Sequence, residues 1–272
     1  MTESFWFIEN NFFFALQGII YLAIASTLAF YVFTILKRND EGYIYVNPIV
    51  ASPTYCLIYG INFLMNLGWI FLWDRELLVV SSYFLCGIAI TNIIAMTLFI
   101  RNIVEAGNFL KLEQPKIYWT YIVLAFNGHG IYTTWTVIAS LLNFTHCLVY
   151  RDNVEMQTAV NVNLSMLLVI AIGWAAIEMT FLDKFARYLV TPYLVVIWAL
   201  SGILSKKYSD ENVSNVTKNF LIGLMVVAII LLVVKIGAMV FRQKKRVLDW
   251  KYTTKNYWFC ILSNVLFLFS SL

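Results

Sequence analysis

Long blocks of apolar residues, broken only by short polar connections, constrain this chain more than any other feature. The stretch 219–241 carries one charge, Lys235, among residues that are otherwise almost all apolar. At about 1.5 Å per residue a helix of that length covers about 34 Å, enough for a hydrocarbon core about 30 Å thick. Only 12% of the 272 residues are charged and 61% are hydrophobic, whereas a soluble domain carries about 25% charged residues. A soluble fold is thereby excluded. The expected fold is all-α, a polytopic membrane bundle forming one transmembrane domain over 1–272.

Seven spans are expected, at 12–36, 48–73, 77–100, 118–149, 161–182, 188–204 and 219–241. The fourth is long unless it tilts or is interrupted near Asn127-Gly128-His129-Gly130, glycines that would also let neighbouring backbones approach. Lys37 and Arg38, then Arg101, Lys111 and Lys116, then Lys184 and Arg187, then Arg242 to Lys255 all fall on one side of such a bundle. The positive-inside rule makes that side cytoplasmic, which puts the N-terminus outside and the C-terminus inside. Lys206 and Lys207 oppose this orientation. The tail 257–272 is short for a span and suits an interfacial helix with aromatic anchors. The start holds Glu3 and Glu9 instead of a basic leader, so the first span is expected to act as its own insertion signal.

The net charge of +4 reflects these loop clusters, not a nucleic-acid surface. The four cysteines are scattered without disulfide or metal-ligand spacing. Two adjacent sequons, Asn212-Val213-Ser214 and Asn215-Val216-Thr217, fall in the outer loop 205–218. They favour the secretory route and a plasma membrane or endomembrane, although a mitochondrial membrane remains open.

Polar groups inside spans need partners, because insertion of a charge costs about 2.5–3.5 kcal/mol at mid-bilayer. Glu178 and Lys235 lie about 7 and 10 Å from the same face and either pair or snorkel separately to the interface. His129, flanked by glycines, suits an interhelical hydrogen bond better than a metal site. Two polar-aromatic stripes stand out. Tyr59, Asn62, Asn66, Trp69 and Trp73 recur at steps of three and four, as do Tyr132, Trp135, Ala139, Asn143 and His146. Such stripes serve either interhelical hydrogen bonding or the wall of a pocket for a flat apolar ligand.

Tyr59, Asn66, Trp69, Phe71 and Trp73, with Tyr132, Trp135, Leu142 and Asn143, and then Arg151-Asp152-Asn153, resemble motifs of the translocator-protein family, also called tryptophan-rich sensory proteins. The resemblance covers about 54–153. It departs at Ile131, where the family has proline, in the absence of a proline-rich first loop, and in the spans that follow. It implies a pocket for flat apolar molecules such as porphyrins or sterols, with Tyr59, Asn62, Asn66, Trp69, Tyr132, Trp135, Ala139 and Asn143 as candidate binding residues.

No nucleophile–base set, metal constellation or phosphate loop is apparent, so a non-catalytic protein is expected. The alternatives are a seven-helix receptor, a transporter or channel using Glu178 and Lys235, and a structural subunit of a membrane complex or homodimer. The expected partners are the lipid bilayer and a small apolar ligand.

Overall fold

A computed structural model of the chain, described for residues 11–39, 42–208 and 213–245, consists of helices apart from one two-residue pairing. The helices are α1 (Asn11–Leu36), α2 (Pro53–Asp74), α3 (Leu78–Glu113), α4 (Pro115–Thr120), α5 (Asn127–Tyr150), α6 (Met156–Thr180), α7 (Asp183–Ala186), α8 (Thr191–Lys207) and α9 (Asn215–Lys245). Strands β1 (Arg38–Asn39) and β2 (Gly42–Tyr43) form a small antiparallel pair after α1. Among the described residues, five helices, α1, α2, α3, α6 and α9, are long and apolar enough to cross a membrane. The chain divides into two compact units, Met1–Met239 and Val240–Leu272. The second is described only to Lys245, so the tail 257–272 lies outside the described residues.

Local chemistry sets the helix ends. Ser52 caps α2 by accepting the Tyr55 N–H at 3.4 Å, with Pro53 in the first turn, where no amide partner is needed. Asn102 of α3 donates to Val50 O at 2.8 Å and to Ser52 Oγ at 3.0 Å, tying the start of α2 to its neighbour. The turn from α2 to α3 closes at Glu76, whose φ of 59° is left-handed. Ser214 caps α9 by accepting the Thr217 N–H at 3.2 Å.

The helices of the third and fourth expected spans are longer than hydropathy indicates. Helix α3 does not end near residue 100 but continues to Glu113, so Arg101 and Lys111 are helical residues and not loop residues. Hydropathy falls at Arg101, yet Ile103, Val104, Ala106, Gly107 and Leu110 keep a buried helical stripe going. Arg101 pairs with Glu105 one turn on, at 3.0 Å, on the exposed side. Helices α4 and α5 are joined by a π-helical segment, Tyr121–Phe126. The helix is therefore not interrupted at Asn127-Gly128-His129-Gly130 but is widened just before it. Asn127 Nδ2 donates to Ile122 O at 2.9 Å and caps the widened turn.

Helix α5 occupies the centre and packs against α1, α3, α6 and α8, while α2 pairs chiefly with α3. The two glycines of its first turn make those approaches possible. A Cβ at Gly128 would lie 3.1 Å from Thr27 Oγ1 of α1, and one at Gly130 would lie 2.5 Å from Thr191 Oγ1 of α8.

Candidate ligand cavity

The two polar-aromatic stripes meet across the bundle. Tyr132 of α5 donates its hydroxyl to Asn62 Oδ1 at 2.9 Å and accepts from Asn66 Nδ2 at 3.0 Å, so it joins two turns of α2. Asn62, fully buried, donates onward to Ile88 O and Thr91 Oγ1 of α3, each at 2.8 Å. Asn143 of α5 accepts from Ser82 Oγ at 3.0 Å and reaches Ser81 Oγ at 3.5 Å, while Asn92 Nδ2 donates to Thr136 Oγ1 at 3.3 Å. The amides thus fasten α2, α3 and α5 to one another, as apolar surroundings require of buried polar groups.

Beside these contacts a cavity of about 290 Å³ remains between α1, α2, α3 and α5. From the sequence-predicted set, Asn66, Trp69, Tyr132, Trp135, Ala139 and Asn143 line it. The helical register carries Trp73 and His146 of the same stripes to its wall as well. Trp69 and Trp73 lie 5.9 Å apart, and Trp73 meets His146 edge-on at 5.9 Å. The Trp69 indole N–H is buried without a hydrogen-bond partner. The volume is close to the lower end of the range of about 300–1,000 Å³ for small-molecule sites.

Two of the expected binding residues are elsewhere. Asn62 is consumed by its bonds to α3 and α5 and does not reach the cavity. Tyr59 turns toward His129, with ring centres 4.6 Å apart, and stacks on Tyr55 at 5.6 Å. Sequence reasoning missed the α1 wall of Gln17, Ile20 and Tyr21, together with Leu85 of α3 and Thr136 and Leu142 of α5. Gln17 and Tyr21 stand one turn apart on α1, but Thr27, Tyr31 and Thr34 are polar on the same helix, so the pair alone carries little pattern. Gln17 Nε2 donates to Tyr21 Oη at 3.0 Å.

The remaining candidates form separate clusters. His129 is 1% exposed, and its Nε2 is hydrogen-bonded to the Tyr55 hydroxyl, which meets the Tyr31 hydroxyl at 3.0 Å. It links α1, α2 and α5. Glu178 and Lys235 pair directly, 0% and 2% exposed, rather than reaching the interface separately. Tyr193 of α8 donates to the second Glu178 oxygen at 2.6 Å, and Lys235 also donates to Ala186 O at 3.0 Å. Asn215 is exposed at the start of α9, with Thr217 of its sequon donating to Asn161 Oδ1 at 3.0 Å; Asn212 lies outside the described residues.

Comparison with curated proteins and with solved structures gives no match. A family model, that of the TSPO-like protein, matches residues 2–238. The match extends well beyond the segment 54–153 that carries the quoted motifs and takes in the later helices α6 to α8 and most of α9. The chain is a multi-pass membrane protein that belongs to the TSPO-like family.

Proposed function

We propose that the protein binds a small, flat, apolar molecule in the cavity between α1, α2, α3 and α5, without catalysis. The observation that carries this reading is that eight residues of the two stripes converge on one cavity, bringing aromatic faces and amides together. Aromatic walls bury a flat ligand and a few polar groups orient it. Membership of the family supports a membrane ligand-binding role. The class of ligand, a porphyrin or a sterol, rests on the family resemblance, and the cavity volume favours the smaller flat molecules within it.

In this reading the chain crosses the bilayer seven times, with α5 and the short α8 added to the five helices that are long and apolar enough. Helix α5 falls short on hydropathy because of Asn127, His129, Thr133, Thr136, Asn143 and His146, all of which it turns toward neighbouring helices or the cavity. The basic residues that follow α1 and α6 and the basic end of α3 face the cytoplasm, and Asn215 faces the exterior of a plasma membrane or endomembrane. The buried Glu178–Lys235 pair serves the packing of α6, α8 and α9 and is not an ion path.

The test is an absorbance spectrum and mass analysis of what co-purifies with the full chain in mild detergent. A flat apolar molecule retained by the wild type and lost in Trp135→Ala and Asn143→Ala is the expected result. A well-folded protein that carries none, and takes up none when a porphyrin or sterol is supplied, contradicts the reading.

A further inference from the structure

A second cluster stands at the opposite end of α3 from the turn at Glu76, where α3, α4 and α7 meet. Arg187 follows α7 directly and is only 3% exposed. One of its nitrogens, Nη2, donates to Asp183 Oδ2 at 2.7 Å. Its other two, Nε and Nη1, are buried and make no hydrogen bond. A buried guanidinium normally uses its donors on carboxylates, phosphates or carbonyls, and each unmade bond to a charged group is costly.

The surroundings add positive charge and more unused hydrogen-bonding capacity. Lys111, half-buried near the end of α3, is close enough to Arg187 for the two cations to repel. Its ammonium lies 4.8 Å from the centre of the Tyr118 ring. Gln114, the single residue between α3 and α4, has both side-chain polar atoms buried without partners. Helix α7 packs against α3, and Trp119 meets Tyr188 edge-on at 5.1 Å, so the three segments form one junction. Nearby, Lys235 is already matched by Glu178, and Glu113 is exposed to solvent.

Apolar side chains mark the depth of this junction. Leu112 is 79% exposed, Phe181 78% and Trp119 45%, next to exposed Lys116 and Lys184. Exposed large apolar groups beside lysines are what the boundary between acyl chains and headgroups accommodates. Basic pockets between helices at this level recognise anionic headgroups.

We infer that Arg187, Lys111 and Gln114 form a site for the phosphate of an anionic phospholipid, whose acyl chains lie along Phe181, Leu112 and Trp119. The phosphate accepts from the unused Arg187 nitrogens and the Gln114 amide, and Lys111 supplies a second cation. The site is separate from the cavity and does not depend on what the cavity binds.

Thermal unfolding of the full chain in a neutral detergent tests this, with added dioleoylphosphatidylserine, dioleoylphosphatidylcholine or sodium phosphate. Phosphatidylserine should raise the midpoint with an apparent affinity about tenfold above that of phosphatidylcholine, as two basic groups at the headgroup level imply. Arg187→Gln should abolish that preference, while Lys206→Gln on α8, at the opposite end of the bundle, should retain it. If Arg187→Gln fails to fold, Arg187→Lys and Lys111→Gln each should reduce the preference. Equal stabilisation by the two lipids overturns the proposal, as does a preference that survives both Arg187→Lys and Lys111→Gln. Sodium phosphate acting as strongly as phosphatidylserine assigns the site to a free oxyanion and overturns the lipid.

Discussion

The cavity between α1, α2, α3 and α5 and the junction of α6, α8 and α9 both place polar side chains inside a membrane bundle, and they do so in opposite ways. Around the cavity, neutral amides and hydroxyls bond across helices and large rings hold space open. At the junction, a carboxylate and an ammonium close on each other, with Tyr193 and a backbone carbonyl completing the set. Neutral groups tolerate an adjoining void because each one's desolvation is modest. A charge does not, because its cost in a low-dielectric setting is met only by close partners. The junction is therefore expected to govern stability and the cavity to govern binding.

The largest effect should come from the junction. Lys235→Met leaves a buried carboxylate without its cation, with Tyr193 still donating to it, and should cost about 3–5 kcal/mol, while combining it with Glu178→Gln should restore much of that loss. A double-variant cycle read by unfolding in detergent measures this, and additive effects would break the contrast. Next comes Gly130→Ala, where the new Cβ meets Thr191 and Leu189 at 2.5 and 2.6 Å. It should destabilise by about 1–3 kcal/mol. Gly173→Ala on α6, with open space around the position, should be neutral or slightly stabilising.

At the cavity the expected changes are in affinity. Trp135→Ala should weaken the binding of a protoporphyrin or a fluorescent sterol about tenfold, as loss of a central aromatic contact does. Tyr59→Phe should leave binding unchanged, because Tyr59 packs on Tyr55 and His129. The smallest expected loss is one of stability, in Tyr132→Phe, which removes two hydrogen bonds linking α5 to Asn62 and Asn66. Interhelical bonds of this kind average about 0.6 kcal/mol.

Much of this arrangement was legible in the residue pattern. Apolar blocks located the helices, and the three-and-four spacing of the stripes grouped eight residues that line the cavity. Depths of about 7 and 10 Å from one face made the Glu178–Lys235 pair one of two open readings, and the fold decided between them. Other features needed the fold. Helix α3 outruns its apolar block because an amphipathic stripe from Ile103 to Leu110 sustains the helix where mean hydropathy falls. Tyr59 and Asn62 share a stripe with Asn66 and Trp69, but a helix face is wide. Its first turns meet His129 and α3 while its last meet the cavity. The α1 wall escaped notice because one glutamine and one tyrosine carry too little pattern. The cluster at Arg187 depends on α7 meeting the end of α3, a contact between segments about 75 residues apart that no local periodicity encodes.

The most direct measurement is a titration of the wild type and Ala139→Phe with a protoporphyrin and with a fluorescent sterol, each variant checked by its unfolding midpoint. Ala139 lines the cavity, so the added ring should fill the space that a ligand needs. The account predicts saturable binding of one probe by the wild type and its loss in Ala139→Phe at an unchanged midpoint. Equal binding by both proteins, or no binding of either probe by the wild type, contradicts it.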